Sequence, residues 1–286
     1  VNLKMALQNF IPTLWSAHIL NTFKTSHVLA SLCNRNYEGE ISGQGDTVKI
    51  NSIGDITVAN YVKNSTSITP EELQSAQTVL NIDQAKYFAF KVDDVDKVQM
   101  NVSVMSEAMS IAAYQMSDAV DVAIGLLYDQ AANTVTDASF DSALALDTIA
   151  LANQYLNEAG VPKAGRWLVL PPWAITKLVL SKILNTEGSV SAEGEYANGF
   201  VGRIMGFNVY ESNGLYQTGT APDYTTYAMA GVPQAITYAE QLVEVEAYRP
   251  ESGFSDAVKG LHVYGYKVVQ PKGLVQLALT YSAETT

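Results

Sequence analysis

Three histidines (His18, His27, His262) and one cysteine, Cys33, are the nitrogen and sulfur ligands this chain could offer a metal. Zinc needs such ligands in short, convergent spacings, and these residues share none. Asp94 and Asp96 stand like the first ligands of a calcium loop, but Val98 and Gln99 fill the next liganding position and the required glycine position. Carboxylates favoured by the positive end of a helix account better for that cluster. Glu193 and Glu195 could in principle work as acid and base, yet they sit in a Gly-rich acidic stretch, residues 186–202, that reads as a solvated loop. Gly43-Gln-Gly45 imitates the opening of a dinucleotide fingerprint, but it leads into a strand and lacks the third glycine. There is no G-x-S-x-G elbow and no Gly-Lys dipeptide, which removes the Walker A loop. No enzymatic activity, metal or cofactor is expected.

Composition narrows the class. Of 286 residues, 48% are apolar and only 16% charged, which is the profile of a globular chain that buries surface extensively. The net charge is −12, and residues 83–141 alone contribute −7, with ten acids opposed by Lys86, Lys91 and Lys97. A solvated helix face is the plain reading of that stretch. Phosphate-backbone binding, which needs clustered Lys and Arg, is disfavoured. The 16 tyrosines are not interleaved with a basic stripe, so packing is their default role. One cysteine excludes an intrachain disulfide. No apolar run approaches 18 residues, so no membrane span is expected.

The elements implied by the pattern are unusual in one place. Residues 46–92 read as a two-armed ribbon. Val48, Ile50, Ile56, Val58 and Val62 alternate on the outgoing arm, and Leu80, Ile82, Phe88, Phe90 and Val92 on the return. Lys63 lies on the polar face of the outgoing arm, and the polar tip, residues 64–73, holds Thr69, Pro70 and Glu72, placed to start one helical turn. At about 3.3 Å per residue such an arm reaches on the order of 50 Å. An isolated hairpin is marginal in water, so its apolar face is expected to rest on another molecule.

A long helix is expected over about residues 100–132, carrying Met105, Met109, Ala112, Met116, Ala119, Ala123 and Leu126 at helical spacing. A turn over 133–139 precedes a second helix, 142–158, closed by Gly160 and Pro162. Residues 166–170 read as a buried strand, and Pro171-Pro172 opens a third helix through Leu184. The remainder is strand-rich, over 203–211, 227–231, 235–239, 242–248 and 258–269.

This order of elements resembles the major capsid proteins of tailed bacteriophages, the Hong Kong 97-like fold, an α+β architecture. Four strings carry the resemblance: residues 83–96, which look like the ribbon return and helix entry; Asp121 within residues 119–123, similar to an aspartate often found on the family's spine helix; residues 166–174 with 202–213, like the axial core; and 258–275, like the closing strand pair. The resemblance implies an N-terminal arm (1–45), an extended loop (46–92), a spine helix and peripheral domain (93–157), an axial domain (158–250) and closing peripheral strands (251–286). It further implies self-assembly into hexamers and pentamers of an icosahedral shell around double-stranded DNA, without sequence-specific contact. Scaffolding and portal proteins are the other partners implied, with assembly in the host cytoplasm and residence in the virion. The ribbon would then be subunit interface, with Ile56, Val58, Val62, Lys63, Thr69, Phe88 and Phe90 as the residues expected there. Some members cross-link a ribbon lysine to a peripheral asparagine. Lys63 could serve, but no asparagine follows Asn213, so a noncovalent shell is expected. The alternative within the same fold is an encapsulin-type compartment loaded with enzyme cargo.

Overall fold

The computed structural model describes residues 28–37, 45, 47–53, 60, 63, 75–93, 103–141, 145–181, 199–220, 223–249 and 255–281. The long helix, α1 (Ser103–Gly125), buries Met109, Ala113, Met116, Val120 and Ile124, a stripe at three- and four-residue steps. It stops at Gly125, where the main chain of Gly214 passes so closely that a Cβ would collide with its carbonyl oxygen. One 3-10 turn, Leu126–Gln130, follows. The second helix, α2 (Ala145–Glu158), ends in the expected glycine cap. Gly160 sits at φ +69°, with Gly160 N–H donating to Asn157 O and Val161 N–H to Leu156 O, both at 3.0 Å. Arg166, buried against this cap, donates to the carbonyls of Pro162 (3.0 Å) and Val161 (2.6 Å). Desolvation pushes its guanidinium pKa down. The third helix, α3 (Pro172–Leu180), starts on Pro172 and is shorter than the sequence suggests.

The strands β1 (Thr47–Ile53) and β2 (Ser75–Asn81) form a two-stranded ribbon. β3 (Gln84–Asp93), β10 (Ile236–Tyr248) and β11 (Ser255–Val268) form an antiparallel sheet in the order β10-β11-β3. A seven-stranded mixed sheet takes β4 (Asn133–Phe140), β5 (Trp167–Leu170), β6 (Phe200–Ile204), β7 (Phe207–Glu211), β8 (Gln217–Thr220), β9 (Asp223–Gly231) and β12 (Leu274–Tyr281). Its order is β4-β12-β9-β5-β7-β6, with β8 on β9. One main hydrophobic core joins α1, α2 and this sheet through residues such as Ile124, Ile149, Trp167, Met229 and Leu277. No helix among the described residues is long and apolar enough to cross a membrane.

Three differences from the sequence reading have physical causes. The expected return arm is two strands: residues 75–81 pair with β1, whereas 84–93 pair with β11. Alternation reports a half-buried strand but not its partner. The expected turn over 133–139 is β4, a polar edge strand on which only Val135 and Phe140 are buried. The expected strand 203–211 is the hairpin β6–β7, turned at Met205 and Gly206, both with positive φ. Sheet membership also crosses the expected domain boundaries. β10 lies with the ribbon return strand and β11, while β4 and β12 join the sheet built around β5 and β9.

Candidate assembly surface

The root of the ribbon is covered by the chain itself. Val48, Ile50, Leu80 and Ile82 are buried in a small cluster with Ala239 of β10 and Val263 of β11. Those strands lie more than 150 residues further along, so no sequence neighbour supplies this cover. The expectation that the ribbon's apolar face rests on another molecule is therefore corrected for its root. Two features of β11 hold it. Gly265 lets the Asn81 carbonyl and the Ile82 side chain approach where any Cβ would clash. Lys267 Nζ donates to Val79 O at 2.8 Å. An open cleft of about 290 Å³, lined by Asn81, Asp83, Leu127, Tyr266 and Lys267 among others, lies between this root and the 3-10 turn that follows α1. Burial first, then the Asp83 charge, raises the Tyr266 phenol pKa.

Of the residues expected at an interface, Phe88 and Phe90 are placed on β3 with rings 6.2 Å apart and 19° from parallel. Both are half-buried on the chain's own main core. Phe88 faces Gly260 in the β3–β11 register, and Phe90 faces Val258. On the opposite face of β3, Tyr87 is 79% exposed beside Leu261, its partner on β11. Lys63 is exposed. Ile56, Val58, Val62 and Thr69 lie outside the described residues. The structure thus brings Phe88 and Phe90 together.

A second constellation escaped the sequence reading. Residues 28–37 cross from α1 to the three-stranded sheet. Asp121, buried on α1, accepts the backbone N–H groups of Val28 (2.9 Å) and Ala30 (3.2 Å). Asn34 makes an isolated parallel bridge to Thr237. Arg35 pairs with Glu240, whose carboxylate also takes the Tyr238 hydroxyl and lies 3.2 Å from His262 Nε2. Burial, then the negative charge of Asp121, drives the Cys33 thiol pKa far up, against a smaller opposing effect of Arg35. Arg35 and Glu240 are 205 positions apart and carry no local pattern, so nothing in the sequence could pair them. Only the family resemblance points to Asp121. These groups fasten backbone segments to one another. Among the described residues no group of three His, Cys, Asp or Glu is placed to hold a metal ion.

An arm fastened to a long helix, a ribbon rooted on a three-stranded sheet and a separate mixed sheet is a combination that can be compared with known proteins. Residues 77–277 match the profile of a family described as phage capsid protein. The chain belongs to this family. A solved chain from Mycobacterium phage Che8 is 31% identical, with TM-score 0.69, covering 88% of this chain and 90% of that one. The capsid structure of the cyanophage P-SCSP1u superposes with TM-score 0.64 at 17% identity, over 88% and 86% of the two chains. A virus-like particle from Pyrococcus furiosus shares the fold at TM-score 0.57 and 12% identity, over 91% and 96%. No curated protein sequence matches. This phage capsid family member is a structural, self-assembling shell protein with the Hong Kong 97-like α+β fold, and the capsid is its place.

Proposed function

We propose that the chain is the major coat protein of a tailed bacteriophage, assembling in the host cytoplasm into hexamers and pentamers of an icosahedral shell around double-stranded DNA. The observation that carries this reading is the 31% identity to the Mycobacterium phage Che8 chain over 88% of the sequence. The charge balance supports it: a chain at −12 forms a wall along which DNA slides without being gripped. Scaffolding and portal proteins complete the expected set of partners. In this reading residues 1–45 are the arm and 46–92 the extended loop, whose distal part, with Ile56, Val58, Val62, Lys63 and Thr69, reaches a neighbouring subunit. Strand pairing supports one unit of β3, β10 and β11, read as peripheral, and another of β4 to β9 and β12, read as axial.

Negative-stain microscopy of the purified chain, followed by nuclease-protected nucleic-acid extraction from particles isolated from cells, tests it. Regular shells containing double-stranded DNA are expected; a stable monomer overturns the reading. Shells that hold a cargo enzyme and no DNA assign the chain to the compartment alternative within the same fold.

A further inference from the structure

The face of α1 turned away from the core carries, around exposed Gln115 and Asp118, several exposed apolar side chains that a solvated helix would not need. Ile111 is 57% exposed, Tyr114 58%, Val122 43% and, just past the helix, Leu126 46%. They follow one another on the surface opposite Met109, Ala113, Met116 and Val120. The only ionised side chains in this stretch are acidic. Residues 98–162 hold eight Asp and Glu and no Lys or Arg, and Asp118 is exposed in the middle of the stripe. Such a patch fits an occupant that is apolar and basic.

The chain carries that occupant. Residues 1–27 contain Lys4 and Lys24 and no Asp or Glu, with Ile11, Leu14, Trp15, Ile19 and Phe23 recurring three or four positions apart. The segment leaves the described residues at Val28, whose N–H is held by Asp121 at 2.9 Å. Asp121 lies on the border of the exposed stripe, adjacent to Val122 and one turn from Asp118. From Asp121 back to Ile111 is about 15 Å along the helix at 1.5 Å per residue, well within reach of 27 residues. Tethering at that point gives the segment a high local concentration at the patch. We infer that residues 1–27 dock on the Ile111–Tyr114–Val122–Leu126 face of α1 in the same chain, with Lys24 meeting the carboxylates beside it. This inference does not depend on shell formation.

Chymotryptic cleavage within Phe10–Phe23, followed by mass spectrometry on the full chain in solution, tests it. The comparison is between the natural chain and the pair Ile111→Asp with Val122→Asp. Both positions are exposed, so the variant is expected to keep its helical signal and unfolding temperature; if it does not, Ile111→Ser with Val122→Ser replaces it. Cleavage is expected about tenfold faster or more in the variant, since cutting follows the undocked population, and protection in the natural chain is expected to be unchanged on dilution. Equal rates in the two chains overturn the inference. If both are fast, the patch is open in the purified protein and suits a basic segment of another protein. Protection that disappears on dilution overturns it in favour of a second copy of this chain.

Discussion

Phe88 fills the space over Gly260 that a side chain at residue 260 would need. The glycine on β11 is therefore half of an aromatic contact, and Gly260→Ala must displace the ring. We expect a loss of about 1–3 kcal/mol, the usual cost of overpacking. The obstacle is the movable end of a side chain, so Phe88→Leu added to Gly260→Ala should recover part of it. Urea unfolding of the two single variants and the double variant gives the coupling energy; strict additivity would count against the contact.

Gly125 offers the opposite case, because its obstacle is the backbone carbonyl of Gly214. On helix propensity alone Gly125→Ala should stabilise by up to about 1 kcal/mol. The clash reverses the sign, and a net loss in the same unfolding assay is expected. A gain would show that the 212–216 loop yields freely.

Asp121→Ala leaves the Val28 and Ala30 amides without their acceptor in a largely buried setting. Each orphaned amide costs about 1–3 kcal/mol. Amide hydrogen exchange at these two positions should accelerate far more than at Asn34, which is held by the Ile236 carbonyl.

Cys33 supplies a pH prediction. Burial holds its folded pKa far above the ordinary value. Its contribution to stability is therefore fully present below the unfolded thiol pKa of about 8.5, and falls as pH rises beyond that, where only the unfolded chain ionises. Unfolding followed between pH 7 and 10 should lose stability more steeply in the natural chain than in Cys33→Ala. Iodoacetamide should label Cys33 only as fast as the chain opens.

Ribbon variants separate folding from assembly. Phe88→Asp and Phe90→Asp strike this chain's own core and should unfold it. Ile56→Asp and Val58→Asp should leave the unfolding temperature unchanged and abolish shells in microscopy. Shells that persist would remove the distal ribbon from the interface. Mature particles boiled in detergent should run as monomers, since no asparagine follows Asn213 to receive Lys63.

Local order was legible in the sequence wherever one segment determines its own shape. The Gly160 cap is set by one residue's conformational freedom, and the structure has it. A helix lies where the spacing put it, but of the expected stripe's described residues only Met109 and Met116 are buried. Ala112, Ala119 and Ala123 are half-buried and Leu126 is exposed, because the core is met by Ala113, Val120 and Ile124, one position along. Pairing was not legible. The alternation of Phe88 and Phe90 fits a ribbon arm and a sheet strand equally, and only β11, some 170 residues on, decides between them. β4 buries too few side chains to announce itself. Met205 at positive φ has no signature in its residue type. At the assembly surface the apolar face of the ribbon could be read, but its root is covered by Ala239 and Val263, which no local pattern connects to it.

β12 lies inside the seven-stranded sheet, parallel to β4 on one side and antiparallel to β9 on the other. Leu274, Leu277 and Leu279 from this strand are fully buried in the main core. Residues 133–140 must therefore wait for residues 274–281 to leave the ribosome before their sheet can close. Long-range pairing of this kind is slow, and until it happens the β9 edge stays open to aggregation. A nascent or truncated chain cannot complete its core, so synthesis itself screens the subunits: only chains translated through residue 281 can finish folding and compete for a place in the particle.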